Sequence, residues 1–278
     1  DRRQHANGYR LPNVGVAQWT KFLAHDEEVQ FRALEYLRAR HTDQCEHSDE
    51  PFFLCVSFHC PHDPFKVPRD LWNLYEGAEI EIPKYPTNME ETYSAMDRWL
   101  NAYHGTDRID IRSPESLIAL RRSYYGLVTW IDRKMGELVE ALDRLELSDN
   151  TIVIFTSDHG DMLAEKNMVQ KRSFYEFSSR IPMIICFPDG WKAGTTCPQP
   201  VSLIDLAPTM MQLAGVDDWL PIDGHSLLPC IEGGELERVV YSESHTNGVY
   251  EPCFMARKGT FKYIHIRNEE GQLFNLEA

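Results

Sequence analysis

The residues best suited to chemistry form a cluster at positions 157–161, which read Ser-Asp-His-Gly-Asp. They follow a β-branched and aromatic run, 151–155, that is typical of a buried strand. In open α/β sheets, ligands bind beyond the carboxyl ends of the strands. A carboxylate and an imidazole suit a divalent cation, and Gly160 lets the backbone turn tightly beside them. Asp158 and His159 are therefore predicted metal ligands; the alternative is a helix cap followed by an ordinary loop histidine.

A second group of histidines follows another apolar run. Residues 52–58 read FFLCVSF, which predicts a strand covered on both faces, and the loop HCPHDPF comes next. Its His59 and His62 are candidate proton donors or ligands. Lys171 would offer a positive charge to an anionic substrate, although a solvated lysine is the ordinary alternative. We predict that the two strands are parallel members of one sheet, so that His62 and His159 face a common crevice at their carboxyl ends.

One long helix is predicted to support these strands. Ser113 is suited to the N-cap and Pro114 to the first helical position, and apolar residues then recur at three- and four-residue spacing to about Leu145. We expect this helix to pack lengthwise on the sheet. The residues expected to be buried are Val128, Ile131, Met135 and Leu142.

Shorter elements complete an α/β pattern. Residues 25–41 predict an amphipathic helix, 181–187 a strand, and 202–215 a helix with Asp205 as its N-cap. The proline-interrupted stretch 78–112 predicts a loop excursion with short helices. A small antiparallel lobe is predicted at the end of the sequence, where four short strand-like segments read RVVYSES, CFMARKG, FKYIHI and QLFNL. The predicted division is an α/β domain over 1–235 and a C-terminal lobe over 236–278.

Composition restricts the class of partner. The chain has 278 residues, 28 Lys plus Arg against 43 Asp plus Glu, and a net charge of −15, without a basic stripe for nucleic acid. An anionic substrate would therefore need a metal or local cations at the site. The seven cysteines include no CxxC pair, so mostly reduced thiols are expected. No apolar stretch is long enough to span a bilayer. Localisation stays open between cytoplasm and periplasm, and a homo-oligomer is compatible with the sequence.

The segment TIVIFTSDHGDMLAEKNMVQKRSFYEFSSRIPMII resembles the Asp-His-Gly region of the type I sulfatases of the alkaline phosphatase superfamily. VSFHCPHDPF and HDEEVQFRALEYL are similar to the choline-sulfatase-like branch. The resemblance implies an alkaline-phosphatase-like sheet with helices on both faces. It implies that Asp158 and His159 bind a divalent cation, with Ca²⁺ expected and Mg²⁺ or Mn²⁺ as alternatives. It also implies that Lys171 contacts the sulfate and that His62 donates to the sulfate or the leaving oxygen.

Two parts of that family's site are not found in the sequence. Type I sulfatases carry a C-x-P-x-R motif whose cysteine or serine becomes formylglycine, and this chain has no such match; Cys186 in CFPDG is interpreted as a strand cysteine. The early strand with paired aspartates is also absent. The chain is therefore expected to be an N-terminally truncated sulfatase acting on a small sulfate ester. The alternatives are a phosphodiesterase or phosphonate monoester hydrolase, and a non-catalytic binding protein with this fold.

Overall fold

A computed structural model describes residues 13–41, 50–107, 111–216, 221–234 and 238–277. The helices in these ranges are α1 (Lys21–His41), α2 (Arg69–Leu74), α3 (Ala95–His104), α4 (Pro114–Arg144), α5 (Glu176–Ser179), α6 (Leu206–Leu213) and α7 (Leu228–Ile231). The strands are β1 (Gly15–Val16), β2 (Lys66–Val67), β3 (Val153–Thr156), β4 (Met183–Cys186), β5 (Val240–Ser244), β6 (Cys253–Lys258), β7 (Phe261–Ile266) and β8 (Gln272–Asn275).

The chain divides into two compact units. The first comprises Asp1–Thr87, Asn101–Val153 and Met162–Gln170, and the second comprises Asn88–Leu100, Ile154–Asp161 and Lys171–Ala278. Each unit therefore draws on several separate stretches of chain. The sequence-based boundary between 235 and 236 falls at residues outside the described ranges, and it stays a prediction.

The long helix α4 organises the first unit. Its predicted N-cap is confirmed, because the Ser113 side chain accepts a hydrogen bond from the Ser116 backbone N–H at 3.2 Å and Pro114 opens the helix. The helix packs against α1, α2 and the parallel pair β1–β2. Its inner face enters an apolar cluster. The fully buried members that α4 contributes to this cluster are Leu117, Leu120 and Leu127.

The predicted buried stripe of α4 is wrong at one position. Ile131 and Leu142 are buried and Met135 packs against the core at partial burial, but Val128 is 44% exposed. Its neighbour Leu127 is 1% exposed and occupies the inward position instead. The reason is the helical period of 3.6 residues: the two successive four-residue steps from Leu120 through Tyr124 to Val128 place Val128 about 80° around the helix from Leu120.

The prediction of a strand over 52–58 is also wrong. The structure assigns no strand there, although burial alternates along the segment with the period of two that an extended chain gives. Phe52, Leu54, Val56 and Phe58 pack against a cluster formed by α1 and the end of α4, whereas Phe53 is 73% exposed. A strand needs ladder hydrogen bonds from a neighbour, and no neighbouring segment in the described ranges supplies them to 52–58. The segment is therefore covered on one face rather than two.

Helix α1 begins one turn before the predicted start and contains no acid in its first turn. Ala33 and Leu37 are buried as the amphipathic pattern requires, while Val29 is only partly buried. The buried face also includes a carboxylate, Asp26, which is 0% exposed. A charged group reaches that position only where hydrogen bonds compensate its burial.

The second unit contains the pair β3–β4 and the antiparallel sheet β5–β6–β7–β8. The sheet has a continuous register, with Cys253 opposite Ile266 and Tyr263 opposite Leu273. It confirms the predicted C-terminal antiparallel lobe. Asp205 precedes α6 as predicted, but its side chain makes no cap bond to α6.

Asp205 instead joins three parts of the second unit. Its carboxylate accepts hydrogen bonds from the backbone N–H groups of Ser202 and His225, at 2.7 and 3.0 Å, and pairs with Arg238. Burial alone would raise the pKa of Asp205, but the Arg238 guanidinium and the two backbone donors outweigh it and hold that pKa below its usual value. These contacts give the Asp205 side chain and the His225 backbone a structural role.

A disulfide joins Cys197 to Cys230, whose Cα atoms are 6.4 Å apart. Its sequence separation of 33 residues gave no signal in the cysteine pattern. Cys55, Cys60, Cys186 and Cys253 are free, so most thiols in the described ranges are reduced as expected, and Cys45 lies outside those ranges.

Candidate functional site

Asp158 and His159 follow β3 at its carboxyl end, as the sequence predicts. The Asp158 side chain is 83% exposed, and one of its oxygens accepts the His159 backbone N–H at 2.9 Å. His159 Nδ1 lies 2.8 Å from the Gly160 carbonyl oxygen, and Ser157 Oγ donates to the His159 carbonyl at 2.8 Å. Local hydrogen bonds therefore fix the orientation of both side chains.

This arrangement fits a divalent cation. When Nδ1 donates its proton to the Gly160 carbonyl, the lone pair of the His159 ring is on Nε2, the usual state of a metal-binding histidine. Nε2 lies 3.5 Å from the second carboxylate oxygen of Asp158, a spacing at which two ligands can contact one ion. Within the described ranges no group of three or more His, Cys, Asp or Glu side chains is arranged to hold a metal. Asp158 and His159 alone could offer two donors, which is fewer than the six or more that a hard cation takes.

Gly160 is required for a different reason from the one predicted. Its φ is not in the left-handed region, so the position does not depend on a special turn. A Cβ at residue 160 would lie 2.1 Å from the Phe177 carbonyl oxygen, and the Gly160 N–H donates to the Ser178 carbonyl at 2.9 Å. The backbone of the strand end therefore rests directly on α5, and only glycine permits that approach.

His62 lies in the first unit, on the loop between the 52–58 segment and β2. Its Nδ1 lies 2.9 Å from the Asp63 carbonyl oxygen and 3.0 Å from the Asp63 carboxylate. The Cys60–Pro61 and Asp63–Pro64 peptide bonds are cis. The neighbouring ring of His59 stacks on Phe22 at 3.7 Å between centroids and lies 5.1 Å from the His62 ring. His62 is about one-third exposed, so the ring can reach a ligand.

Burial, followed by the nearby His62, lowers the pKa of His59. The Nε2 atom of His59 is buried without a hydrogen-bond partner in the described part of the chain. His59 is therefore a neutral ring packed beside His62 at neutral pH. This geometry suits a support for the loop better than a proton donor.

Asp26 is a residue that the sequence analysis missed. Its carboxylate accepts the backbone N–H groups of His59 at 2.6 Å and of Cys60 at 3.2 Å. A carboxylate that accepts two backbone donors in the interior fixes their positions strongly. The only available signal was an acid on the apolar side of an amphipathic helix, three residues before Val29.

Arg121 is a second missed residue. It is buried on α4, and its guanidinium donates to the Leu163 and Glu81 carbonyl oxygens and pairs with Glu165 at 2.5 Å. It thereby anchors the segment 162–170, which leads to Lys171. Six non-glycine residues in and just after this segment have positive φ: Leu163, Ala164, Lys166, Asn167, Gln170 and Arg172. Such conformations persist only where surrounding contacts impose them, and they cluster at functional sites.

Of the four predicted site residues, the structure brings Asp158 and His159 together. Lys171 is partly buried in the same unit. His62 belongs to the first unit, so its approach to the other three stays a prediction. None of the helices in the part of the chain that the structure describes has the length and apolarity needed to cross a membrane.

Sequence comparison identifies the class to which this fold and these residues belong. Residues 11–216 match the sulfatase family, and residues 164–278 match the family described as N-sulphoglucosamine sulphohydrolase, C-terminal. The chain therefore belongs to the sulfatase family. It is 34% identical to a choline-sulfatase of Rhizobium meliloti (strain 1021) over 96% of its length, and 28% identical to an arylsulfatase K of Danio rerio over 95%. These matches cover 52% and 53% of the two relatives, so the chain spans about half their length.

Solved structures confirm the predicted fold class. The phosphonate monoester hydrolase of Agrobacterium radiobacter superposes with a TM-score of 0.76 at 25% identity, covering 99% of this chain and 58% of that one. The fold is the alkaline-phosphatase-like fold of sulfatases, ending in a four-stranded antiparallel sheet.

Proposed function

We propose that this chain is part of a metal-dependent sulfuric ester hydrolase, in which Asp158 and His159 hold the cation. The pairing of an exposed carboxylate with the Nε2 side of an oriented imidazole carries the proposal. Ca²⁺ is the ion expected from the family resemblance. Mg²⁺ or Mn²⁺ would meet the same donors, since all three cations accept carboxylate oxygens. When bound, the cation polarises the oxygens of the sulfate group.

The other two residues would act on the substrate itself. Lys171 is proposed to contact the sulfate oxygens, where its charge stabilises the negative charge redistributed in the transition state. His62 is proposed to donate a hydrogen bond to the sulfate or to the leaving oxygen, with its ring held by Asp63. The formylglycine nucleophile of the family would come from a C-x-P-x-R motif, which this sequence does not contain.

A small sulfate ester is the proposed substrate class, and choline sulfate is one candidate because of the choline-sulfatase relative. A trimethylammonium group would need an aromatic or acidic pocket. Trp72, Trp99 and Tyr103 are the aromatic candidates, and each already has a contact. The Arg122 guanidinium lies 4.4 Å from the Trp72 ring centroid, Trp99 contacts Tyr250 edge to face at 5.5 Å, and Tyr103 contacts His104 edge to face at 5.4 Å. These contacts leave a sulfated sugar as an equal candidate.

The second candidate is phosphonate monoester hydrolysis, favoured by the fold match at a TM-score of 0.76. Both reactions would use the same metal and lysine. The rates at which the complete gene product hydrolyses an aryl sulfate and an aryl phosphonate monoester, measured side by side, decide between the two reactions. A third candidate, a binding protein without catalysis, requires that the complete gene encode no nucleophile motif.

The metal and lysine assignments are tested together by two variants of the complete gene product. Asp158→Ala should abolish turnover, by at least about 10³-fold, and lose the bound metal. Because its side chain is 83% exposed, thermal stability without metal should not change. Lys171→Ala should keep the metal and lower turnover by about 10²-fold, because it removes one contact to the developing charge.

Metal content and rate are measured on the same preparations. Normal metal content in an active Asp158→Ala enzyme would overturn the metal assignment. Loss of metal from Lys171→Ala would show that the lysine supports the cation rather than the sulfate. The 278-residue chain alone should turn over an aryl sulfate at background rate.

A further inference from the structure

A buried lysine in the C-terminal sheet holds the short helix on which the metal-ligand strand end rests. Lys262, on β7, is 3% exposed. Its Nζ donates to the Phe174 carbonyl at 2.7 Å and to Ser179 Oγ at 3.1 Å, and it pairs with the Glu176 carboxylate. All three acceptors lie within or just before α5.

Helix α5 has four residues, Glu176–Ser179, which is far below the length at which a helix is stable by itself. Its position must therefore be imposed by contacts. Lys262 supplies three of them, and Arg257 on β6 adds a weaker pair with Glu176 at 3.4 Å. A buried ammonium is costly unless each donor is satisfied, so this geometry has little freedom to change.

Helix α5 in turn fixes the backbone that carries Asp158 and His159. The Ser178 carbonyl accepts the Gly160 N–H at 2.9 Å, and the Phe177 carbonyl lies so close that a Cβ on residue 160 would be 2.1 Å away. The Gly160 carbonyl is also the acceptor for His159 Nδ1. A shift of α5 would therefore move the peptide that sets the orientation of the imidazole.

From these contacts we infer that Lys262 is a positioning residue for the predicted metal ligands, acting through α5 and Gly160. The inference deepens the proposed function and rests on it, because the ligand role of Asp158 and His159 is part of that proposal. The antiparallel lobe would then support the site indirectly, because Lys262 on β7 fixes α5 and α5 fixes the backbone at Gly160. Outer contacts of this kind typically change metal affinity about 10- to 100-fold when removed.

The test compares Lys262→Met with Ile264→Val in the complete gene product. Ile264 lies two residues further along β7 on the same buried face, is 1% exposed, and makes none of the contacts to α5 described above. Two quantities are measured: the Ca²⁺ dissociation constant by calorimetry, and the hydrogen-exchange rate of the Gly160 amide without metal. Lys262→Met should raise both about 10-fold or more, and Ile264→Val should leave both within about twofold.

Glu176→Gln serves as a milder variant if Lys262→Met does not fold. It keeps the Lys262 bonds to the Phe174 carbonyl and Ser179, so a smaller increase in the same two quantities is expected. Unchanged Gly160 exchange and unchanged Ca²⁺ affinity in either folded variant would overturn the inference. Equal effects from Ile264→Val would do the same, since they would show a general loss of stability.

Failure of the proposed function is distinguished by Asp158→Ala. If that variant binds Ca²⁺ like the parent, the metal assignment is wrong, whatever Lys262→Met does to Gly160 exchange. If Asp158→Ala loses Ca²⁺ while Lys262→Met changes neither quantity, only the positioning role of Lys262 is wrong.

Discussion

The two loops that carry the candidate site residues are held in place by different means. The His59–His62 loop of the first unit is fixed by a buried charge, the Asp26 carboxylate, which accepts two of its backbone N–H groups. The Asp158–Gly160 loop of the second unit is fixed by close backbone approach, with the Gly160 N–H on the Ser178 carbonyl. The first loop therefore depends on an acceptor with the right charge, and the second depends on the absence of a side chain.

This difference separates the kinds of substitution that each loop tolerates. A carboxylate that accepts two buried donors leaves both unsatisfied when it is removed. A side-chain substitution removes neither partner of the Gly160–Ser178 backbone hydrogen bond, but any added side-chain atom at residue 160 must displace the Phe177 carbonyl. Two histidine-bearing loops in one chain thus owe their geometry to unrelated interactions, and each requires its own test.

The largest effect is expected from Asp26→Ala in the first loop. The substitution leaves the His59 and Cys60 N–H groups without their acceptor in the interior, which costs about 1–3 kcal/mol for each group. We expect the free energy of unfolding to fall by about 2–6 kcal/mol, measured by urea denaturation. The His59 and Cys60 amides should lose their protection from hydrogen exchange.

Asp26→Asn is the matched control for Asp26→Ala. The amide keeps one acceptor oxygen of nearly the same shape, so the loss of stability should be about half as large. Equal losses from the two variants would mean that the charge itself, rather than the acceptor geometry, fixes the loop. No loss from either would contradict the role of Asp26.

A smaller effect on stability is expected from Gly160→Ala in the second loop. Its Cβ would lie 2.1 Å from the Phe177 carbonyl oxygen, so α5 must shift at a cost of about 1–3 kcal/mol. Gly136→Ala is the control, because no atom lies within 4 Å of its added Cβ on α4. That change should stabilise the helix by up to about 1 kcal/mol. Thermal unfolding of both variants measures the contrast, and a stabilised Gly160→Ala protein would refute the close-approach argument.

Much of this architecture could be predicted from the sequence where local patterns decide it. Ser113 and Pro114 mark the start of α4 because capping depends on adjacent residues. The strands of the C-terminal lobe could be predicted because the alternation of side chains along a strand is likewise a local pattern. The 52–58 segment was not, because an apolar run does not reveal whether a second strand lies beside it.

The supports of the candidate site were hidden for a physical reason. Asp26 and Arg121 each contact backbone groups more than 30 residues away along the chain, and such contacts leave no periodic signal. Lys262 lies in a strand whose alternation suggests an apolar inner face, and only the structure shows that its ammonium is buried. The proposed metal-binding role of Asp158 and His159 rests on residue type and strand-end position, whereas the groups that orient the two loops could not be predicted from the sequence.

The smallest expected effect is on the pH dependence of stability, and it arises from His59 in the first loop. Burial and the nearby His62 lower the pKa of His59, so the folded protein binds a proton at His59 less readily than the unfolded chain does. Stability contributed by the neutral ring is therefore present above the unfolded pKa of about 6.5 and is lost as pH falls below it. In His59→Phe, whose ring can still stack on Phe22, unfolding free energies should fall less between pH 7.5 and 5.5 than in the parent. His265→Gln is the control: it removes an exposed histidine, so its unfolding free energy should change with pH as in the parent. If His59→Phe also changes with pH as the parent does, the protonation of His59 does not contribute to the pH dependence of stability.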